Sequence, residues 1–89
     1  MNIAQLYEVY RNHPSIQTDT RQLKQGDIFF ALKGPNFNGN AYAAAALEAG
    51  AVLAVIDEAE YNTQPEKMML TTDVLSTLQQ LALHHRQQL

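Results

Sequence analysis

Two short segments of this chain carry side chains suited to holding an anion or a sugar. One is Lys33-Gly34-Pro35-Asn36-Phe37-Asn38-Gly39-Asn40, dense in turn formers. Lys33 offers a point charge, Asn36 and Asn38 offer amide donors and acceptors, and Gly34 and Gly39 permit close backbone approach. The other is Thr18-Asp19-Thr20-Arg21, two hydroxyls beside a guanidinium whose planar fork of donors matches phosphate oxygens. Each segment also has a plainer reading. The first serves equally as an ordinary strand-to-helix connection. The second serves as a turn in which Asp19 or a hydroxyl bonds its own backbone while Arg21 pairs with an acid.

Other chemistries find little support. The chain has no cysteine, which removes disulfides, thiolate metal sites and a thiol nucleophile. His13 precedes a proline, and His84 and His85 are neighbours that point in different directions on a helix. They read as residues complementing the dipole at a helix C-terminus. No Gly-x-x-x-x-Gly-Lys-Ser/Thr loop and no Gly-x-Ser-x-Gly elbow occurs. Glu58 and Glu60 fall in a polar connection and are expected to be solvated.

The elements that must position the two segments follow from periodicity. Ile3, Leu6, Tyr7 and Tyr10 share one helical face, with Asn2 as N-cap and His13-Pro14 as the stop. Ser15 to Thr18 reads as a short strand and Gln22 to Gly26 as a polar turn. The run Asp27-Ile28-Phe29-Phe30-Ala31-Leu32 is too short for an independent helix and suits a strand buried on both faces. Ala41 to Ala49 predicts an alanine-rich helix closed by Gly50, with Ala45 and Ala46 at or beside a tight contact with a sheet. Ala51 to Ile56 is a second buried strand, which makes a βαβ unit with a right-handed crossover. Asp57 to Glu66 is a polar connection, and Lys67 to Thr71 an edge strand built on Met68, Met69 and Leu70. Asp73 then caps a final helix with Val74, Leu78, Leu81, Ala82 and His85 on one face.

The expected fold class is therefore α/β: a small two- or three-layer domain over residues 1–89. It has a mixed, partly parallel sheet, a βαβ unit and about three helices. In open parallel sheets ligands bind beyond the carboxyl ends of the strands. Lys33 to Asn40 lies at such an end and leads into a helix N-terminus, where unpaired N–H groups attract anions.

Composition sets the outer bounds. Eighty-nine residues with 46% hydrophobic and 17% charged content fit one globular domain. A net charge of −3 argues against a nucleic-acid partner, which selects a basic face. The apolar runs fall far short of the ~20 residues that span a bilayer. The first residues, Met1 to Glu8, lack the basic flank and apolar run of a signal peptide. A cytoplasmic protein without a membrane partner is the expectation. No stop signal closes the last helix, so the expectation is also a domain excised from a longer chain.

Taken in order, the residues form a longer pattern. Thr18-Asp19-Thr20-Arg21-x-Leu23-x-x-Gly26-Asp27-x-Phe29-x-Ala31-Leu32-Lys33-Gly34, then Phe37-Asn38-Gly39, resembles the N-terminal domain of the Mur ligases. Tyr42-x-x-x-Ala46-x-x-x-Gly50-Ala51 continues the resemblance. Within the family, Ala31-Leu32-Lys33-Gly34 with Phe37-x-Gly39 is most similar to the MurF branch, which joins D-alanyl-D-alanine to UDP-N-acetylmuramoyl-tripeptide in peptidoglycan synthesis. The MurE branch typically carries Asp-Ser-Arg and Asp-Gly where this chain has Asp19-Thr20-Arg21 and Asn38-Gly39.

The resemblance implies a three-domain cytoplasmic ligase whose first domain holds the UDP end of a UDP-N-acetylmuramoyl-peptide substrate. ATP and magnesium belong to the central domain and the incoming amino acid or dipeptide to the third; no cofactor and no catalytic or metal residue is implied here. Residues carried over as contacts to the UDP moiety are Thr18, Thr20, Arg21, Lys33, Gly34, Pro35, Asn36, Phe37 and Asn38, with Arg21 open to a structural role instead. The competing class is a stand-alone binding or interaction module of the same fold.

Overall fold

Helix α1 (Ile3–Asn12) opens the chain in the computed structural model, which describes Met1–Leu89. Asn2 and Gln5 form a reciprocal capping box, each side chain serving the other's backbone N–H at 2.9 Å. Four strands follow: β1 (Ile16–Gln17), β2 (Ile28–Phe30) and, within the lysine-led segment, a separate pair of two-residue strands, β3 (Lys33–Gly34) and β4 (Phe37–Asn38). A 3₁₀ turn (Gly39–Tyr42) runs into α2 (Ala43–Glu48), then come β5 (Leu53–Ile56), β6 (Met68–Leu70) and α3 (Val74–Gln87).

The strands β1, β2, β5 and β6 lie side by side in that order and are parallel throughout. The expected α/β fold with its βαβ unit is present. Its only antiparallel pairing is the small β3–β4 ribbon, outside the main sheet. Three layers result. On one face Leu6, Tyr7, Val74 and Leu81 from α1 and α3 pack on Ile28, Phe30, Leu53, Val55 and Met69. On the other, Ala43 and Ala46 of α2 pack on Phe29, Ala31, Ala54, Ile56 and Met68. Alternation along β2 and β5 sends successive side chains to opposite layers. No helix is long and apolar enough to cross a membrane.

Several local expectations change. The stretch from Lys33 to Asn38, read as a loop, folds back as the β3–β4 ribbon, with Lys33 opposite Asn38 and Gly34 opposite Phe37. The helix expected from Ala41 starts as a 3₁₀ turn and becomes α-helical only at Ala43. Its sheet contacts are Ala43 and Ala46, one turn apart, while Ala45 is exposed. Gly50 has φ +118°, the left-handed closure expected of it. Asp73 caps α3 by accepting from the Ser76 N–H at 2.9 Å, but Ala82 faces solvent. His85 does more than complement a dipole: its Nδ1 lies 3.1 Å from the Tyr7 hydroxyl, and His84 stands edge-on to the Tyr7 ring.

Candidate functional site

Beyond the carboxyl ends of β1 and β2 lies a cleft of about 480 Å³ lined by Thr18, Asp19, Thr20, Arg21, Phe29, Phe37, Gly39 and Tyr42. The polar wall is built locally. Gln17 turns its Oε1 to the backbone N–H groups of Thr18 and Asp19, both at 3.0 Å. Asp19 then caps a 3₁₀ turn (Thr20–Gln22) by accepting from the Arg21 N–H at 2.9 Å. The same carboxylate grips the Arg21 guanidinium in a two-point fork, Nε at 3.1 Å and Nη2 at 2.9 Å. The guanidinium holds the Asp19 carboxyl below its ordinary value. Arg21 is thus oriented by Asp19, as the turn reading foresaw, and stays exposed at the cleft with its remaining N–H groups unused.

The apolar wall is unusual because its rings face water. Phe37 is 56% exposed and Tyr42 51% exposed, while Phe29 beneath them is buried. Gly34 explains how Phe37 is seated: a Cβ there would run into the Phe37 ring. Gly39 is required for a different reason. Its N–H donates to the Leu32 carbonyl at 2.8 Å, and an added Cβ would sit 2.5 Å from that same oxygen. The backbone of the segment is pressed against the end of β2.

The structure brings together Thr18, Thr20, Arg21 and Phe37, four of the nine expected contact residues. Gly34 supports the ring from behind. Pro35 and Asn36 form the exposed tip of the ribbon and do not line the cleft. Lys33 and Asn38 turn elsewhere. The Lys33 ammonium sits 3.3 Å from Asp57 Oδ1 and 3.1 Å from Glu58 Oε2, and Asn38 Nδ2 donates to Glu58 Oε1 at 2.9 Å. Glu58, expected to be solvated, is therefore tied to the ribbon, and these contacts hold its carboxyl below the usual range. Glu60 is exposed. The amides leading into α2 are not free for an anion either. Asn38 Oδ1 takes the Asn40 N–H at 3.0 Å, and Leu32 takes that of Gly39.

Sequence reasoning missed Tyr42, Phe29, Asn40 and Asp57. A signal existed for Asp57, which directly follows the apolar strand and so stands at the carboxyl end of a parallel strand. Tyr42 carried a signal too, lying just past the turn-forming stretch that ends at Asn40. The chain carries no Gly-x-x-x-x-Gly-Lys-Ser/Thr loop, and no group of three or more His, Asp or Glu side chains is placed to hold a metal ion.

Residues 14–86 match the family described as "Mur ligase family, catalytic domain". The chain belongs to the Mur ligase family. Over 76 residues it is 41% identical to the UDP-N-acetylmuramoyl-tripeptide–D-alanyl-D-alanine ligase of Bacillus subtilis, an alignment covering 83% of this chain and 16% of that protein. Over 77 residues it is 39% identical to the UDP-N-acetylmuramoyl-L-alanyl-D-glutamate–2,6-diaminopimelate ligase of Rickettsia typhi, covering 86% of this chain and 15% of that protein. The crystal structure of MurF from Acinetobacter baumannii superposes with a TM-score of 0.71 at 28% identity, over 85% of this chain and 16% of the other. The chain thus spans about a sixth of the length of these Mur ligases, and its fold is that of their N-terminal domain.

Proposed function

We propose that this domain holds the UDP end of a UDP-N-acetylmuramoyl-peptide for a MurF-type ligase of peptidoglycan synthesis, working in the cytoplasm. The observation that carries the reading is the cleft itself: two exposed aromatic rings on one side, two threonines and a pre-oriented arginine on the other. Exposed rings at a cleft favour a flat base, since stacking buries apolar area without demanding a hydrogen-bond code. Hydroxyls and guanidinium N–H groups favour phosphate oxygens. Uridine between Phe37 and Tyr42, with phosphates toward Thr18, Thr20 and Arg21, satisfies both walls.

ATP, magnesium and the incoming dipeptide belong, on this reading, to further domains of the same ligase, which are also this domain's protein partners. The resemblance to solved MurF structures and the Ala31-Leu32-Lys33-Gly34 segment support the MurF branch. The similarity to a diaminopimelate ligase supports a second assignment, to the MurE branch. Both branches ask the same of this domain.

The test is ligand-detected NMR with UDP and with uridine. UDP should bind with a dissociation constant of roughly 0.1–10 mM, the range left when a ligand loses the linked contacts of other domains. Uridine should bind more weakly, and Phe37→Ala should abolish both signals. Equal binding of UDP by wild type and by Phe37→Ala would remove the stacked base from the account. A ligation assay on the full-length ligase, D-alanyl-D-alanine against diaminopimelate, decides the branch.

A further inference from the structure

Phe37, Gly39 and Tyr42 reach the cleft from one continuous segment, yet the two rings are half-exposed and cannot anchor it by burial. Its polar anchor lies on the opposite side of the backbone. Asn40 is 1% exposed and every hydrogen-bonding position of its amide is used. Its Oδ1 accepts from the backbone N–H groups of Asp57 at 2.9 Å and Glu58 at 3.3 Å. Its Nδ2 donates to Asp57 Oδ1 and to Asn38 Oδ1, both at 2.9 Å. Asp57 in turn divides its carboxylate. Oδ1 serves Asn40 and the Lys33 ammonium, whereas Oδ2 accepts from the Val74 N–H, the first of α3, at 3.0 Å.

We infer that Asn40 and Asp57 are positioning residues for the cleft, locking the Lys33–Tyr42 segment to β5 and to the start of α3 so that Phe37 and Tyr42 are held ready for a flat ligand. The inference rests on the nucleotide reading for its ligand, though not for its geometry. A carboxylate is needed at 57 because both of its oxygens must accept. An asparagine there keeps one acceptor only. With oxygen toward Val74, its NH₂ meets the Asn40 amide and Lys33, donor against donor. Turned the other way, it meets the Val74 N–H. Burial pushes the Asp57 carboxyl up, but the Val74 N–H, the Asn40 amide and the Lys33 ammonium together hold it below its ordinary value, so acceptance on both sides persists near neutrality.

Asp57→Asn tests this against a control in the far core, Leu6→Val, on the buried side of α1 against the other face of the sheet. Two readouts are needed: hydrogen exchange at the Gly39 amide relative to the amides of β5, and UDP affinity. Asp57→Asn should speed Gly39 exchange about tenfold beyond any change in β5 and weaken UDP by about tenfold, the scale of one lost charge-assisted hydrogen bond. Leu6→Val should lower the unfolding midpoint and move neither readout selectively. If Asp57→Asn does not fold, Glu58→Gln, at the exposed side of the same cluster, should give the same pattern at roughly two- to threefold. Gly39 exchange that merely tracks β5 overturns the positioning role, as does an unchanged UDP affinity in a variant whose wild type binds. If UDP leaves the wild type unperturbed, the nucleotide reading falls, and Gly39 exchange alone still decides whether Asp57 locks the segment.

Discussion

The two faces of the sheet are built from different materials. Beneath α1 and α3 the core is bulky: Leu6, Tyr7, Ile28, Phe30, Leu53, Val55, Met69 and Leu81 interlock. Beneath α2 it is largely alanine, with Ala31, Ala43, Ala46, Ala51 and Ala54 around a few large residues. Small side chains let a short helix lie close to the sheet, and the connections at that end are drawn over β2 and β5. The first face contributes most of the apolar burial, which stabilises by about 25 cal/mol per Å². The second contributes less burial but supports the cleft, and it relies on a polar cluster where the first relies on packing.

That contrast predicts a graded series. Leu81→Ala should cost about 2–5 kcal/mol by creating a cavity under α3. Urea unfolding measures it, and UDP affinity of the folded fraction should stay unchanged, because Leu81 lies on the face away from the cleft. Ala46→Leu should cost about 1–3 kcal/mol by overpacking the alanine face. There UDP binding should weaken together with the thermal midpoint, since lifting α2 drags the segment that carries Tyr42. If Ala46→Leu leaves the midpoint in place, α2 does not sit tightly on the sheet.

Acid sharpens the comparison of the sheet's two ends. At the amino end, Asp27 is 1% exposed and accepts from the Lys24 N–H at 2.8 Å. That bond, against the opposing effect of burial, holds its carboxyl below the ordinary value. A carboxyl lowered in the folded state contributes stability that is fully present above the unfolded value of about 3.9 and lost as pH falls through the folded value. Asp57 acts in the same sense at the other end. Urea midpoints should therefore fall below about pH 4, and Asp27→Asn should flatten that decline. An acid limb identical to wild type would contradict the role given to Asp27. The smallest stability effect belongs to Phe37→Ala, within about 0.5 kcal/mol as for other exposed sites, with a large loss of UDP binding.

Sequence reasoning reached the elements whose signals are local. The α1 face was legible from Ile3, Leu6, Tyr7 and Tyr10, its start from Asn2, and the βαβ unit from two apolar runs around an alanine-rich stretch. The β3–β4 ribbon was not, because two residues per strand give no periodicity to read. Nor was the start of α2, where the run of alanines offers no marker between a 3₁₀ turn and an α-helix. Thr18, Thr20 and Arg21 were legible by residue type, and Phe37 through the family pattern. Lys33 and Asn38 show the limit of residue type: both suit a phosphate or a sugar, yet Glu58 lies 25 and 20 residues on and takes both side chains. Asn40 and Asp57 are 17 residues apart, and nothing in the sequence pairs them.

The central claim is that the cleft between Thr18–Arg21 and Phe37–Tyr42 is a nucleotide site. Backbone amide shifts recorded while UDP is titrated into the chain to millimolar concentration test it residue by residue. The account predicts saturable shifts at Thr18, Thr20, Arg21, Phe37, Gly39 and Tyr42, with α1 and the last turns of α3 unmoved. Shifts centred on His84, His85 and Tyr10, on the opposite face of the sheet, would contradict it.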